Sequence, residues 1–157
     1  MIEALGLPQL FTGPLVNMML ILTSLTVAPV AGIALGVITP MVAALRGQLP
    51  GFLLFMMPFI ILANAAFVFV FSLLRRWRRA ANVLLSFSAW LGLLCGALVK
   101  FLVLYYATRL ALPLLVGANV PEKLIAMMSL PQFFTALAGG AFAFLIYNML
   151  RTRFHFK

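Results

Sequence analysis

Polar side chains interrupt long apolar stretches of the chain at a few positions, and Lys100 is the most unusual of them. It lies between the apolar segments GALV and FLVLYY. A lysine at the centre of a bilayer costs about 2.5–3.5 kcal/mol on insertion scales. Two roles explain its presence. Either the ammonium group reaches the outer lipid headgroups by snorkelling, or it faces an external cavity and pairs with an anionic group of a ligand.

Amide side chains occur in other apolar stretches and extend this candidate site. Asn17, Asn64 and Gln132 either hydrogen-bond between helices, typically for about 1 kcal/mol, or line a pocket. Arg46 follows another apolar run, on a predicted external loop. We predict one external substrate-binding cavity between the third, fourth and fifth apolar spans, beneath the loops that follow the second and fourth. The residues predicted to reach it are Lys100, Asn64, Gln132, Asn17 and Arg46. The scarcity of acids and the basic character favour a ligand that carries a carboxylate or phosphate.

The groups needed for catalysis or metal binding are missing from the sequence. Its two acids are Glu3 and Glu122, and it has no paired carboxylates, no HExxH motif and no glycine-rich phosphate loop. Cys95 and His155 are each the single residue of their type, so neither an intrachain disulfide nor a Cys/His metal cluster can form. We therefore predict no enzymatic activity, no cofactor and no metal.

The composition indicates a membrane protein. Of 157 residues, 66% are hydrophobic and 8% charged, with a mean hydropathy of +1.20. Soluble domains are about half apolar and one quarter charged, and a chain this short could not bury so much apolar surface. The net charge is +9, and the basic residues lie mostly between apolar runs. We therefore expect the protein to contact the lipid bilayer and not to bind nucleic acid. The fold class predicted is an all-α, polytopic transmembrane bundle in one domain, residues 1–157.

Five membrane spans are predicted, since long continuous apolar runs in lipid must be helical. They cover about residues 12–28, 30–45, 52–74, 80–112 and 131–150. Pro14 is expected in the first turn of the first span, and a tight turn near Pro29 separates it from the second. The fourth span is about 33 residues, or about 50 Å, so it must tilt, break or project. Pro113 is expected to end it.

The basic residues predict the orientation. The densest cluster is Arg75, Arg76, Arg78 and Arg79, and we place it in the cytoplasm. Two spans later come Arg151, Arg153 and Lys157, which therefore share that side and make the C-terminus cytoplasmic. The first span then enters from outside, from which we infer a missing preceding helix; unaided translocation of a short tail is the alternative.

Two sequence patterns suggest helix contacts. The segment LPQLFT (7–12) resembles LPQFFT (130–135), which indicates either a shared helix-start signal or two equivalent helix starts beside one external pocket. Small residues recur at helical spacing, as in Ala28, Gly32 and Gly36. Such faces allow close approach of helices, either within the chain or on a partner membrane protein. We assign these three to partner docking.

The sequence resembles the substrate-binding S component of energy-coupling factor (ECF) transporters in four motifs. These are GPLVN (13–17), GIALGVITP (32–40), MPFIILAN (57–64) and LPQFFT (130–135). The resemblance implies a six-helix fold that binds a vitamin or related micronutrient in an outward pocket. It also implies docking on a transmembrane coupling subunit driven by two cytoplasmic ATPases. The chain resembles this family minus its first helix.

A second hypothesis is a structural or accessory subunit of a larger membrane complex, without a ligand. A small molecule retained by the purified protein would distinguish the two.

Overall fold

The structure is a computed structural model that describes residues 6–46, 51–76, 83–117 and 120–154. The described chain is helical, as predicted. The helices are α1 (Gly6–Thr26), α2 (Pro29–Leu45), α3 (Gly51–Arg76), α4 (Phe87–Tyr106), α5 (Leu112–Val116), α6 (Glu122–Met127) and α7 (Leu130–Phe154). A π-helical segment, Ala107–Ala111, joins α4 to α5 without a break.

The five long helices form a closed ring in the order α1, α2, α3, α4, α7 and back to α1, and α1 also contacts α3 across the ring. Helices α2 and α3 are antiparallel, because Gly32 meets Val68 while Gly36 meets Asn64. Helices α3 and α4 are antiparallel too, since Gly92 and Gly96 meet the carbonyls of Phe71 and Phe67 in that order. Helices α1 and α7 are parallel, since Gly13 packs against Thr135 and Asn17 against Gly139. The similar segments that open α1 and α7 therefore lie at the same end of the bundle, as the predicted span directions require.

Arginines gather at one end of this ring. Arg75 lies over the ring of Tyr147, with 5.7 Å from its guanidinium carbon to the ring centre. The end of α3 therefore lies beside the end of α7, which confirms the shared side for the described arginines of the two clusters. We call this the basic end; its described arginines are Arg75, Arg76, Arg151 and Arg153.

Several predicted boundaries are wrong. Helix α4 begins at Phe87 instead of near residue 80, because the Ser86 hydroxyl accepts a hydrogen bond from the Ala89 amide and caps the helix there. Helix α1 begins six residues early, at Gly6, so Pro14 lies in its interior. Pro113 does not end the fourth span, since it occupies the first turn of α5, where its missing N–H costs little.

Three helical stretches within the described residues are long and apolar enough to cross a membrane: Leu53–Arg76, Phe87–Val116 and Glu122–Arg153. The other two predicted spans are shorter apolar helices, Phe11–Thr26 and Pro29–Leu45 in their described parts. These correspond to α1 and α2, which are joined by the predicted tight turn at Ala28 and Pro29.

Two apolar cores fill the bundle. The larger joins α1, α3, α4 and α7 around Phe67, Phe71 and Phe144, all fully buried. The smaller lies towards the opposite end from the arginines, where Leu124 and Met128, on and just after α6, pack on α3 and the α4–α5 segment. Polar side chains are therefore exceptional in the interior and stand out where they occur.

Candidate functional site

Three helices converge on the ammonium group of Lys100. It donates one hydrogen bond to Oδ1 of Asn17 on α1, at 2.6 Å, and another to Oδ1 of Asn64 on α3, at 2.7 Å. Its nitrogen also lies 5.6 Å from the centre of the Phe67 ring, a cation–π distance. We call Lys100, Asn17 and Asn64 the polar triad. Three of the five residues predicted for the site therefore meet in the structure.

The triad is enclosed by the bundle. Lys100 is 4% exposed, Asn17 1% and Asn64 2%. The acid within the described residues, Glu122, is exposed on α6, so both hydrogen-bond acceptors described for the ammonium are neutral amides. A buried charge is normally paired with an opposite charge. Lys100 therefore brings an amine into the interior of the bundle, and its partners among the described residues are two amide dipoles and an aromatic ring.

Helix α2 holds Asn64 in the orientation that Lys100 requires. The amide nitrogen of Asn64 donates to the Gly36 carbonyl at 3.2 Å, which directs its oxygen towards Lys100. The absence of a side chain at Gly36 favours this contact, because a β-carbon there would lie 3.0 Å from Cβ of Asn64, closer than ordinary van der Waals contact. Four helices thus contribute to one network: α1, α3 and α4 through side chains and α2 through its backbone.

The depth of Lys100 differs from the sequence-based expectation. We placed it near the outer interface, because α4 was expected to begin near residue 80. With α4 starting at Phe87, Lys100 lies beside Asn64, twelve residues or about 18 Å along α3 from Arg76. The hydrocarbon core is about 30 Å thick, so this is close to its middle. The side chain does not snorkel, since its nitrogen is bonded to the two asparagines.

The other two predicted site residues lie elsewhere. Half-buried Gln132 donates to the Met127 carbonyl at 3.4 Å and approaches Sδ of Met128 at 3.9 Å. It thus joins α7 to α6. Arg46 is exposed at the end of α2. The predicted cavity was assigned to the third, fourth and fifth spans, whereas the hydrogen bonds to Lys100 come from α1 and α3.

The small residues assigned to partner docking make close contacts inside this chain. Gly32 is buried, and a β-carbon on it would lie 2.8 Å from the Leu20 carbonyl of α1. Gly36 is buried against Asn64, and Ala28 is half-buried just before α2. Internal packing, the alternative use considered for such faces, accounts for the observed contacts of both glycines.

Sequence reasoning missed Phe67 and the backbone role of Gly36. Phe67 lies three residues after Asn64, so both side chains lie on the same face of α3. Its place beside the site could therefore have been predicted from the sequence of α3 alone. The contact between Gly36 and Asn64 could not have been predicted, because the sequence does not show which helices are neighbours.

Comparison with known proteins supplies the family. A family model described as the substrate-specific component of the ECF transporter matches residues 2–151. No curated protein and no solved structure matches the chain. The match covers nearly the whole sequence and agrees with the helical bundle and its apolar spans. Members of this family are transport subunits and not enzymes. The chain belongs to the ECF transporter substrate-specific component family.

Proposed function

We propose that this substrate-specific component takes up a small anionic micronutrient, such as a vitamin with a carboxylate or phosphate group. The observation that carries this proposal is the polar triad, which holds a buried ammonium with two neutral acceptors. An anionic group beside Lys100 would replace an amide dipole with a full opposite charge. A hydrogen bond to a charged group is worth about 1.5–3 kcal/mol.

The closed triad represents a substrate-free arrangement in this proposal. The oxygen of Asn17 stands where an oxygen of a carboxylate would bind. When substrate arrives, α1 moves away from α4 and Asn17 releases Lys100. Asn64 stays in place because Gly36 holds its amide nitrogen. Gln132 and Arg46 lie towards the end opposite the arginines, and we propose that they meet the substrate on its way in.

Family membership implies that the protein works with the membrane and ATPase module of an ECF transporter. We propose that this module is one transmembrane coupling subunit with two cytoplasmic ATPases. The proposal further has the basic end facing the cytoplasm, in keeping with the excess of basic residues on that side of membrane proteins. This multi-pass protein would then lie in the cell membrane with its C-terminus inside. Docking near Ala28 would use the outward face of α2, whose exposed residues include Val30 and Ile38, because Gly32 and Gly36 are enclosed.

A purely structural role for the triad is the competing explanation. Its hydrogen bonds join α1, α3 and α4 without any ligand. Buried polar contacts in membrane bundles can stabilise helix association in this way. The two explanations differ in what the substitution Lys100→Met removes: a ligand-binding charge in the first, and only a helix contact in the second.

A thermal-shift panel tests the proposal. The purified protein is heated with carboxylated vitamins (biotin, pantothenate, folate) and with uncharged or cationic ones (riboflavin, thiamine). We expect stabilisation by a member of the anionic set and its loss in Lys100→Met. The matched control is Lys123→Met, which removes an exposed lysine on α6 and should leave the shift unchanged. Stabilisation only by a cationic vitamin, or an equal shift in Lys100→Met, would overturn the anionic assignment.

A further inference from the structure

An apolar groove of about 530 Å³ runs along the outside of the bundle between α4 and α7. It is lined by Phe87, Trp90, Leu91, Leu94, Leu137, Ala138 and Ala141. The groove exists because α7 carries alanines where the facing side of α4 carries large side chains. It is separate from the polar triad, whose hydrogen bonds run between α4, α1 and α3.

The groove spans most of one leaflet. Its α4 residues extend from Phe87 to Leu94, seven residues or about 10 Å along the helix axis. One leaflet contributes about half of a hydrocarbon core that is about 30 Å thick. The groove is also narrow, since Gly140 of α7 meets the side chain of Leu93 directly. A helix, about 10–12 Å wide with its side chains, cannot lie between two helices in such contact.

The groove lies in the half of the bundle that ends in the described arginines of α3 and α7. Phe87 begins α4, and Gly92 packs near Leu74 of α3, so the start of α4 lies at the level of Arg75 and Arg76. The antiparallel α7 ends at the same side with Arg151 and Arg153. Glu122, the acid within the described residues, is exposed on α6, towards the opposite end of the bundle. Phosphate headgroups are the anions that such a cluster meets in a membrane.

We propose that this groove binds one acyl chain of an anionic phospholipid from the leaflet at the basic end, with its phosphate held by the arginines. Trp90 closes the inner wall. Its indole donates to the Leu84 carbonyl at 2.8 Å, and its ring meets Phe144 edge-on with 5.2 Å between centres. The Trp90 side chain is thus held in place without the lipid, which reduces the loss of side-chain entropy when the lipid binds.

Native mass spectrometry of the purified protein tests this proposal with phosphatidylglycerol and phosphatidylcholine of equal chain length. We expect the wild type to retain phosphatidylglycerol at several times the level of phosphatidylcholine. The double variant Ala138→Leu/Ala141→Leu fills the groove and should lower retained phosphatidylglycerol at least threefold. The matched control, Ala34→Leu on the exposed face of α2, should retain it as the wild type does.

Further arms keep the result interpretable. Phe87→Ala shortens a side chain that lines the groove and is 80% exposed. The substitution introduces no steric clash, and it should also lower the amount of phosphatidylglycerol retained. Glycerol phosphate, a headgroup without chains, should neither bind nor stabilise the protein. Equal retention of both lipids, or unchanged retention in the filled variant, would overturn the proposal. It would also be overturned if filling the groove blocked assembly with the other transporter subunits while lipid remained bound.

Discussion

Asn64→Leu is the substitution that probes the polar triad most sharply. It removes one of the two amide oxygens bonded to Lys100 and also the Asn64 hydrogen bond to the Gly36 carbonyl. A hydrogen bond to a charged group contributes about 1.5–3 kcal/mol and a neutral one about 0.5–1.5. The sum is about 2–4.5 kcal/mol. Hydrogen bonds in membrane bundles average nearer 0.6 kcal/mol each, or about 1.2 kcal/mol for two, so we expect a loss of about 1–3 kcal/mol in unfolding free energy.

The most informative quantity is the sign of the interaction energy between the Asn64→Leu and Lys100→Met substitutions. Lys100→Met alone leaves two amide oxygens without their donor but also removes a buried charge, so we expect a change within about 1 kcal/mol. In Asn64→Leu the charge stays buried with a single acceptor described, Asn17. Adding Lys100→Met to Asn64→Leu should therefore raise stability by about 1 kcal/mol or more over Asn64→Leu alone.

Unfolding in detergent micelles, followed by circular dichroism, measures these differences. Gln132→Leu is the control, because that amide bonds to the end of α6 and not to Lys100; its effect should add to that of Lys100→Met. The reasoning is refuted if Asn64→Leu costs under about 0.5 kcal/mol, or if the double variant is no more stable than Asn64→Leu.

Three further predictions concern the frame around the triad. Gly139→Ala should destabilise the bundle by about 1–3 kcal/mol in the same unfolding assay, because the new β-carbon would meet the Pro14 carbonyl and lie 2.8 Å from Cβ of Asn17; Ala34→Val on an exposed face should be neutral. Ser86→Ala should cost about 1 kcal/mol through loss of the α4 cap, while Ser86→Asp should retain most of the stability. In a Cys95→Ala background, a cysteine replacing Glu122 should react with an impermeant maleimide from outside the cell and one replacing Arg153 only after permeabilisation, and the reverse pattern would invert the orientation.

The helical fold followed from composition and continuous apolar runs, because lipid permits few other structures. The parallel arrangement of α1 and α7 followed from span parity. Boundaries were predicted less well, since the start of α4 depends on one cap at Ser86 and α1 accepts Pro14 in its interior. Because the predicted fourth span began too early, Lys100 was predicted to lie nearer the outer membrane surface than the structure shows.

The candidate site was predicted in composition but not in geometry. Lys100, Asn17 and Asn64 were singled out because each is costly in an apolar helix, and the cost implies a partner. The identity of that partner depends on which helices are neighbours in the bundle, and the sequence of a single helix does not reveal its neighbours. The structure places Gln132 against the end of α6 and not among the hydrogen-bond partners described for Lys100, so its part in a substrate site stays a prediction. The segments that hold Gln48, Trp77, Arg78, Arg79, Asn119 and His155 lie outside the described residues.

Identification of the small molecule that leaves the purified protein on denaturation is the most direct test of the central claim. Wild type, Lys100→Met and Lys123→Met are purified in parallel, and the released compounds are compared by mass spectrometry. The account predicts a carboxylate- or phosphate-bearing compound at near-equal occupancy in wild type and Lys123→Met. It should be depleted tenfold or more in Lys100→Met, the loss expected when a charge-assisted bond worth about 1.4 kcal/mol or more disappears. A neutral or cationic compound, or one retained equally by Lys100→Met, would contradict the account.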